Sequence, residues 1–289
     1  MIAYPIDPAE LIARIEQEKP GWLARARDRK DAYAQARAYV EGGEFWGEIK
    51  GVYIALQHEK CAYCEMKLAG KAYAAKVHEV EHFRPKSRLR AWPGDIKRLK
   101  GYTPPCATGG ASATGYYLHA YNPFNYAIAC TRCNSSLKSD YFPVRGTRNF
   151  REEDAGLLRS EDPLLVYPIA GLDVDPAELI TFIGVLAVPV HAAGPLYERA
   201  EVTIRFFDLN HEDLTTRRAE VIAALYLALR GKELAADAAD IRDFSDGIAR
   251  YLSPATGFSA CAAAYYALYQ KDRSLAVQIG REAQKLLPR

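Results

Sequence analysis

Apolar positions over the first 60 residues recur at helical spacing. Asp7-Pro8-Ala9-Glu10 carries a cap residue, a proline at the first helical position and an early acid, which together mark the start of a helix. Apolar residues at helical intervals continue that helix. We expect a second helix from about Pro20 to Val40 and a third over Phe45–Gln57. Residues 1–60 are therefore interpreted as a helical scaffold.

The C-terminal part, 150–289, is predicted to be mainly helical. Two stretches have strand character: DPLLVYP (162–168) and the alternating Phe182–Val190, for which we expect a hairpin around Ala192–Gly194. From Glu198 onward the pattern is helical, ending with a long helix over Cys261–Leu287.

The central part, 61–149, mixes both periodicities. Val77–Phe83 alternates imperfectly as a strand would, and Asn134–Asp140 is expected to begin a helix. Between them, 92–118 is rich in glycine, proline, serine and threonine and is interpreted as an inserted loop. The sequence therefore predicts a predominantly helical α+β fold in three parts: 1–60, 61–149 and 150–289.

Composition supports a globular protein of the cytoplasm. Apolar residues make up 49% of the 289 positions and charged residues 26%, which is typical of soluble domains. No apolar run approaches the roughly 18 residues of a membrane helix, and the N-terminus lacks a secretory signal pattern. Six cysteines, four of them in metal-binding spacing, favour a reducing compartment.

Two Cys-x-x-C pairs bound the central part: Cys61 with Cys64, and Cys130 with Cys133. Each pair presents two thiolates from one tight turn, and two pairs supply the four ligands of a closed structural zinc site. Unrelated core thiols are the main alternative. A disulfide reading is disfavoured by the reducing compartment.

The segment between these pairs resembles the HNH endonuclease family. The matching residues are Glu81-His82, Asn125 and Asn134, which directly follows Cys133. The phrases VEHFRPK and NPFNYAIACTRCN are most similar to the PtuB-like HNH subunits of Septu and retron-associated anti-phage systems. A weaker similarity continues through DPLLVYP and LNHEDLTTRR. The resemblance implies a ββα-metal core that hydrolyses DNA, stapled by zinc and flanked by helices.

Within that resemblance, His82 is the candidate general base. Neutral imidazole is well suited to taking a proton from water near physiological pH. A core or zinc-ligating histidine is the alternative. The family pattern implies that Asn125 orients His82 and its loop. A turn-capping role is the competing interpretation, because Asn122 lies in the same turn sequence.

Glu81 and Asn134 are the candidate ligands of one catalytic ion. Many HNH enzymes have histidine at the position of Asn134, and aspartate is commoner at that of Glu81. Both residues offer oxygen, which favours Mg²⁺ or Mn²⁺. The alternatives are an exposed carboxylate for Glu81 and a helix cap for Asn134. His78 is a further possible ligand.

The net charge of +2 does not by itself indicate a nucleic-acid partner. Seven basic residues and one acid nevertheless lie between Arg84 and Lys100. Such a run is usually a solvated face, but beside a catalytic histidine it suggests contacts to DNA phosphates. The candidates for these contacts are Arg84, Lys86 and Lys138.

Two functional hypotheses follow. One is a metal-dependent HNH endonuclease acting on DNA, the nuclease effector of an anti-phage system. The other is a zinc-stapled nucleic-acid-binding or scaffolding subunit without catalysis. The Septu-like resemblance also implies an ATPase partner of the ABC or SMC type, PtuA-like. The lack of a long apolar run predicts no membrane association.

Overall fold

The computed structural model describes residues 1–68 and 80–287. The expected N-terminal helices are confirmed as α1 (Pro8–Glu18), α2 (Trp22–Ala36) and α3 (Lys50–Leu56). The side chain of Asp7 caps α1 by accepting a 2.8 Å hydrogen bond from the Ala9 amide. A 3₁₀ turn, Trp46–Ile49, leads into α3.

A small antiparallel sheet lies at the centre of the chain. Strand β1 (Val80–His82) pairs with β2 (Tyr126–Ile128), and His82 lies opposite Tyr126. The strand was expected to begin at Val77, which lies outside the described residues. After β2 the chain enters a short π-helix, Arg132–Lys138, hereafter the site helix. It begins two residues before the expected start and ends at Lys138, and the next residue, Ser139, has a φ of 43°.

The C-terminal part contains a second hairpin, β3 (Ile180–Ile183) with β4 (Leu186–Pro189). Its turn lies at Gly184, so the expected turn at Ala192–Gly194 is wrong. Gly184 has a φ of 55°, which glycine adopts without a Cβ penalty. The predicted DPLLVYP strand is also wrong, because these residues form a single isolated bridge, from Pro163 to Val144, instead of a ladder.

Helices dominate the rest of this part from Pro195 onward, as expected. The predicted final helix is two helices, because Asp272 ends the first and caps the second through the Leu275 amide at 3.0 Å. The described helices are α4 (Pro176–Leu179), α5 (Pro195–Phe206), α6 (Glu212–Leu234), α7 (Ala238–Leu252), α8 (Ser259–Lys271) and α9 (Arg273–Lys285).

One cluster of buried apolar side chains draws on all three parts of the chain. The inserted loop is packed against it: Trp92 is 2% exposed and its ring lies 5.5 Å from that of Phe206. Across residues 1–68 and 80–287, no helix has both the length and the apolar character to span a bilayer. The described chain is thus a mainly helical α+β structure with two small two-stranded sheets and a buried group of four cysteines.

Candidate functional site

The four cysteines of the two Cys-x-x-C pairs converge on one point. All four are buried, and their sulfur atoms lie within 4.8 Å of one another. The Cys64 and Cys130 sulfurs are 3.8 Å apart, close to the roughly 3.8 Å edge of a tetrahedron with Zn–S bonds of 2.3 Å. None of them forms a disulfide. This donor set fits a structural zinc ion, which would be held by Cys61, Cys64, Cys130 and Cys133.

Buried Gln57 joins the first cysteine turn to strand β2. Its Nε2 donates to the carbonyls of Lys60 at 3.0 Å and Ile128 at 2.8 Å, while its Oε1 accepts from the Ile128 amide at 2.8 Å. The Ala62 amide also donates to the Ile128 carbonyl at 3.0 Å. The first cysteine turn and the central sheet are therefore held in one register by Gln57, the residue that follows α3.

Asn125 fixes the chain immediately after His82. It accepts from the Arg84 amide at 2.7 Å and donates to the Arg84 carbonyl at 3.0 Å and to the His119 carbonyl at 3.0 Å. The turn-capping role belongs to Asn122, whose side chain accepts from the Phe124 amide at 2.9 Å. Only 1% of Asn125 is exposed, so it contacts backbone and lies away from the solvent.

The His82 ring is held in one tautomer. Its Nε2 lies 3.0 Å from the carbonyl oxygen of Ala120. A carbonyl can only accept, so Nε2 carries the proton and Nδ1 the lone pair. Burial lowers the pKa of His82 to about 3, and the ammoniums of Lys86 and Lys138 act in the same direction. The ring is neutral across the physiological range.

Glu81 is buried beside a buried lysine. Its Oε1 lies 3.2 Å from Lys138 Nζ, at ion-pair distance but without hydrogen-bond alignment. The same ammonium donates to the His82 carbonyl at 3.2 Å. Burial raises the pKa of Glu81 to about 7, against the opposing effect of Lys138. Glu81 is therefore buried, and it is not the exposed carboxylate of the alternative interpretation.

A cleft of about 670 Å³ opens beside the central sheet. Glu81, His82 and Asn134 all line it, so the structure brings three of the predicted site residues together. Asn134 lies inside the site helix, three residues after its cap position at Thr131, and so does not cap the helix. The other lining residues are Trp46, Gly47, Lys50, Val80, Pro85, Lys86, Ser87, Arg88, Ser139 and Asp140.

Two of the expected phosphate contacts do not line this cleft. Lys138 is fully buried in its pair with Glu81. The Arg84 guanidinium lies 3.6 Å from buried Glu161 and packs over the Phe142 ring at 5.2 Å. Both charged side chains are therefore engaged in contacts inside the protein, where they stabilise the site. Of the three candidates, only Lys86 reaches the cleft.

The basic run after Arg84 divides among several environments. Arg88 and Arg90 both bind Asp140, at 2.6 and 2.5 Å. Arg98 donates to backbone carbonyls at the end of α5. Arg88 is the member of this run that joins Lys86 in the cleft lining. The run is therefore not one continuous basic face.

Sequence reasoning missed one wall of the cleft. Trp46 and Lys50 belong to the N-terminal part, which was interpreted as scaffold, yet both line the cleft. The Trp46 ring lies 4.8 Å from the His82 ring, at 89°. Nothing in the spacing of these residues indicated this, because the contact joins positions 36 residues apart in sequence. His78, the further possible ligand, lies outside the described residues.

Comparison with known proteins adds a relative. No family model matches the chain, and no solved structure matches it. The chain is 30% identical to the Septu protein PtuB of Bacillus mycoides over 173 residues, which cover 60% of this chain and 50% of that protein. The chain therefore spans about half the length of this curated relative. This similarity confirms the resemblance to PtuB that the sequence motifs indicate: the chain is PtuB-like.

Proposed function

We propose that this protein is a metal-dependent endonuclease of the HNH type that hydrolyses DNA phosphodiester bonds. The observation that carries the proposal is the state of His82. Its ring is neutral, donates Nε2–H to the Ala120 carbonyl and lines the cleft beside Glu81 and Asn134. A base held in one tautomer next to two oxygen donors is the arrangement that water activation at a phosphate requires.

In this proposal His82 takes a proton from the attacking water at Nδ1. Asn125 keeps the base in place by clamping the backbone of Arg84, two residues further along. Lys86, at the cleft, contributes positive charge to the phosphate. The strand pairing of His82 with Tyr126 adds a rigid support from the opposite side.

Glu81 and Asn134 are the proposed ligands of the catalytic ion. Both offer oxygen, so the donor set fits Mg²⁺ or Mn²⁺. Such an ion would neutralise the scissile phosphate and stabilise the departing 3′ oxygen. Because Oε1 of Glu81 faces Lys138, we assign the ligand role to Oε2.

A second candidate function is a zinc-stapled binding or scaffolding subunit without catalysis. The observation in its favour is the same ion pair: Lys138 already compensates the charge of Glu81 inside the protein. A carboxylate neutralised in this way has less need of a metal. The neutral, cleft-lining His82 favours the enzyme.

We further propose that the protein is the nuclease effector of a Septu-type anti-phage system in the cytoplasm, with an ABC- or SMC-type, PtuA-like ATPase as partner. The support is the similarity to the Septu protein PtuB. The match covers half of that relative, and the proposal assigns the role of a whole Septu protein to this chain.

Incubation of purified protein with supercoiled plasmid in Mg²⁺ or Mn²⁺ tests both proposals. Nicked or linear product from the protein alone, or only after the co-encoded ATPase is added, supports the nuclease. Cleavage that occurs only after the ATPase is added also supports the proposed partnership with that ATPase. Intact plasmid in both cases, with zinc bound and the ATPase active, contradicts the nuclease and favours the scaffold.

A further inference from the structure

One wall of the cleft, formed by Trp46 and Lys50 of the N-terminal part, is held in place by the protein core. The Trp46–Ile49 turn runs directly into α3, and Ile49 is fully buried. Trp46 and Lys50 belong to this turn and helix, and both line the cleft. Helix α3 is followed directly by Gln57, which holds the first cysteine turn and β2. The wall and the central sheet therefore keep a fixed relative position.

Trp46 contacts two of the groups that the proposed reaction uses, His82 and Lys86. Its ring is perpendicular to that of His82 at 4.8 Å, and the Lys86 ammonium lies 4.9 Å from the ring centroid. A cation over an indole ring is attracted by its quadrupole. Tyr121 supports the ring from within the core at 5.4 Å. Trp46 thus connects the base to the cation of the cleft.

Cations lie on both walls of the cleft. Lys50 belongs to the N-terminal wall, and Lys86 and Arg88 to the segment after β1. Arg88 is 70% exposed although it shares Asp140 with Arg90. A groove with cations on both walls and an aromatic ring in one of them has the features by which proteins hold a single nucleic-acid strand.

We propose that the Trp46–Lys50 wall binds the DNA strand. Lys50 contacts a phosphate next to the scissile one. Trp46 holds His82 and Lys86 in place and presents its exposed part to an unpaired nucleotide. This inference rests on the proposed nuclease function and names a single-stranded segment as the substrate.

The intrinsic fluorescence of Trp46 reports on DNA binding at this wall. The protein has three tryptophans, and the other two, Trp22 and Trp92, are 0% and 2% exposed. Titration with a single-stranded oligodeoxynucleotide of about ten residues, without added divalent ion, is expected to quench the intrinsic fluorescence. Trp46→Phe is expected to abolish the quenching, and a blunt duplex to quench less than the single strand.

Lys50→Gln tests the phosphate contact by fluorescence anisotropy of the labelled oligonucleotide. The affinity is expected to fall about five-fold, and the slope of log K against log salt to decrease by about 0.7, the contribution of one phosphate on a single strand. Lys271→Gln makes the same charge change at an exposed residue outside the cleft and is expected to change neither. For the positioning role, Trp46→Leu is expected to lower kcat more than it raises KM, while Trp46→Phe retains most of kcat.

Two failures are distinguishable. If wild-type protein cleaves DNA but Trp46→Phe is quenched like wild type and Lys50→Gln matches Lys271→Gln, the wall is scaffold and the inference is overturned with the nuclease intact. If folded, zinc-loaded wild type neither binds nor cleaves DNA with or without the ATPase, the proposed function fails and this inference falls with it.

Discussion

Asn125 and Arg84 exchange a reciprocal pair of hydrogen bonds: the Arg84 amide donates to Asn125 Oδ1 at 2.7 Å, and Asn125 Nδ2 donates to the Arg84 carbonyl at 3.0 Å. This clamp closes the chain behind β1 and fixes where His82 lies. It uses the backbone of Arg84, while the guanidinium of that residue turns towards buried Glu161. Arg84 thus links the end of strand β1 to the buried side chains around Glu161.

Replacing Asn125 is expected to destabilise the protein. Asn125→Ala leaves the amide and the carbonyl of Arg84 buried without their partners and removes one of the two hydrogen bonds to the His119 carbonyl, so the free energy of unfolding should fall by about 3 kcal/mol. Urea denaturation measures this loss. Asn122→Ala is the matched control: at a half-buried turn it removes the capping bond from the Phe124 amide and the 3.0 Å hydrogen bond to His119 Nδ1, and should cost about 1.5 kcal/mol. Equal losses for the two variants would contradict the clamp.

Lys138 and Glu81 are expected to be strongly coupled. Lys138→Met leaves the Glu81 carboxyl buried without a partner, which should lower the free energy of unfolding by about 3 kcal/mol. Adding Glu81→Gln should recover a large part of that loss, because the buried charge is then absent. A double-mutant cycle, measured by urea denaturation without added divalent ion, gives the coupling. Additive losses would show that the pair does not interact.

Zinc removal is expected to unfold the central part of the chain. Metal analysis should give one zinc ion per chain, and Cys133→Ser should lose it together with the cooperative thermal transition. Cys106→Ser is the control, because Cys106 lies outside the cluster and is only half-buried. Full zinc content in Cys133→Ser would contradict the four-cysteine site.

Acid is expected to destabilise the protein through His119. Burial lowers its pKa from 6.5 to about 4 in the folded state. Between these values the unfolded state binds a proton that the folded state does not, so stability falls as the pH drops and is unaffected above 6.5. The full loss is about 3 kcal/mol. Denaturation of wild type and His119→Gln at pH 7 and pH 4.5 checks this: the variant should lose less.

The convergence of the four cysteines and the α+β class could be predicted because their signals are local. The two Cys-x-x-C pairs carry their geometry within four residues each, and Asp7 begins α1 by accepting hydrogen bonds from the amides of Ala9 and Glu10. The resemblance to PtuB rests on short motifs in the same way. Spacing and capping therefore identified these elements correctly.

The rest depended on contacts between distant residues, which periodicity does not encode. Lys138 looked like a solvated phosphate contact, but its side chain is buried against Glu81, 57 residues earlier. The hairpin turn was placed at Ala192–Gly194 by composition, although Gly184 makes it. Trp46 lines the cleft only because α3 packs against β2.

The central claim is that His82 is the general base of a nuclease, and cleavage of plasmid by His82→Ala tests it most directly. Wild type and variant are compared in Mg²⁺ or Mn²⁺ at equal zinc content, with the co-encoded ATPase present if wild type requires it. The account predicts cutting by wild type and a loss of about a hundred-fold or more in the variant. Equal cutting by the two proteins would contradict it.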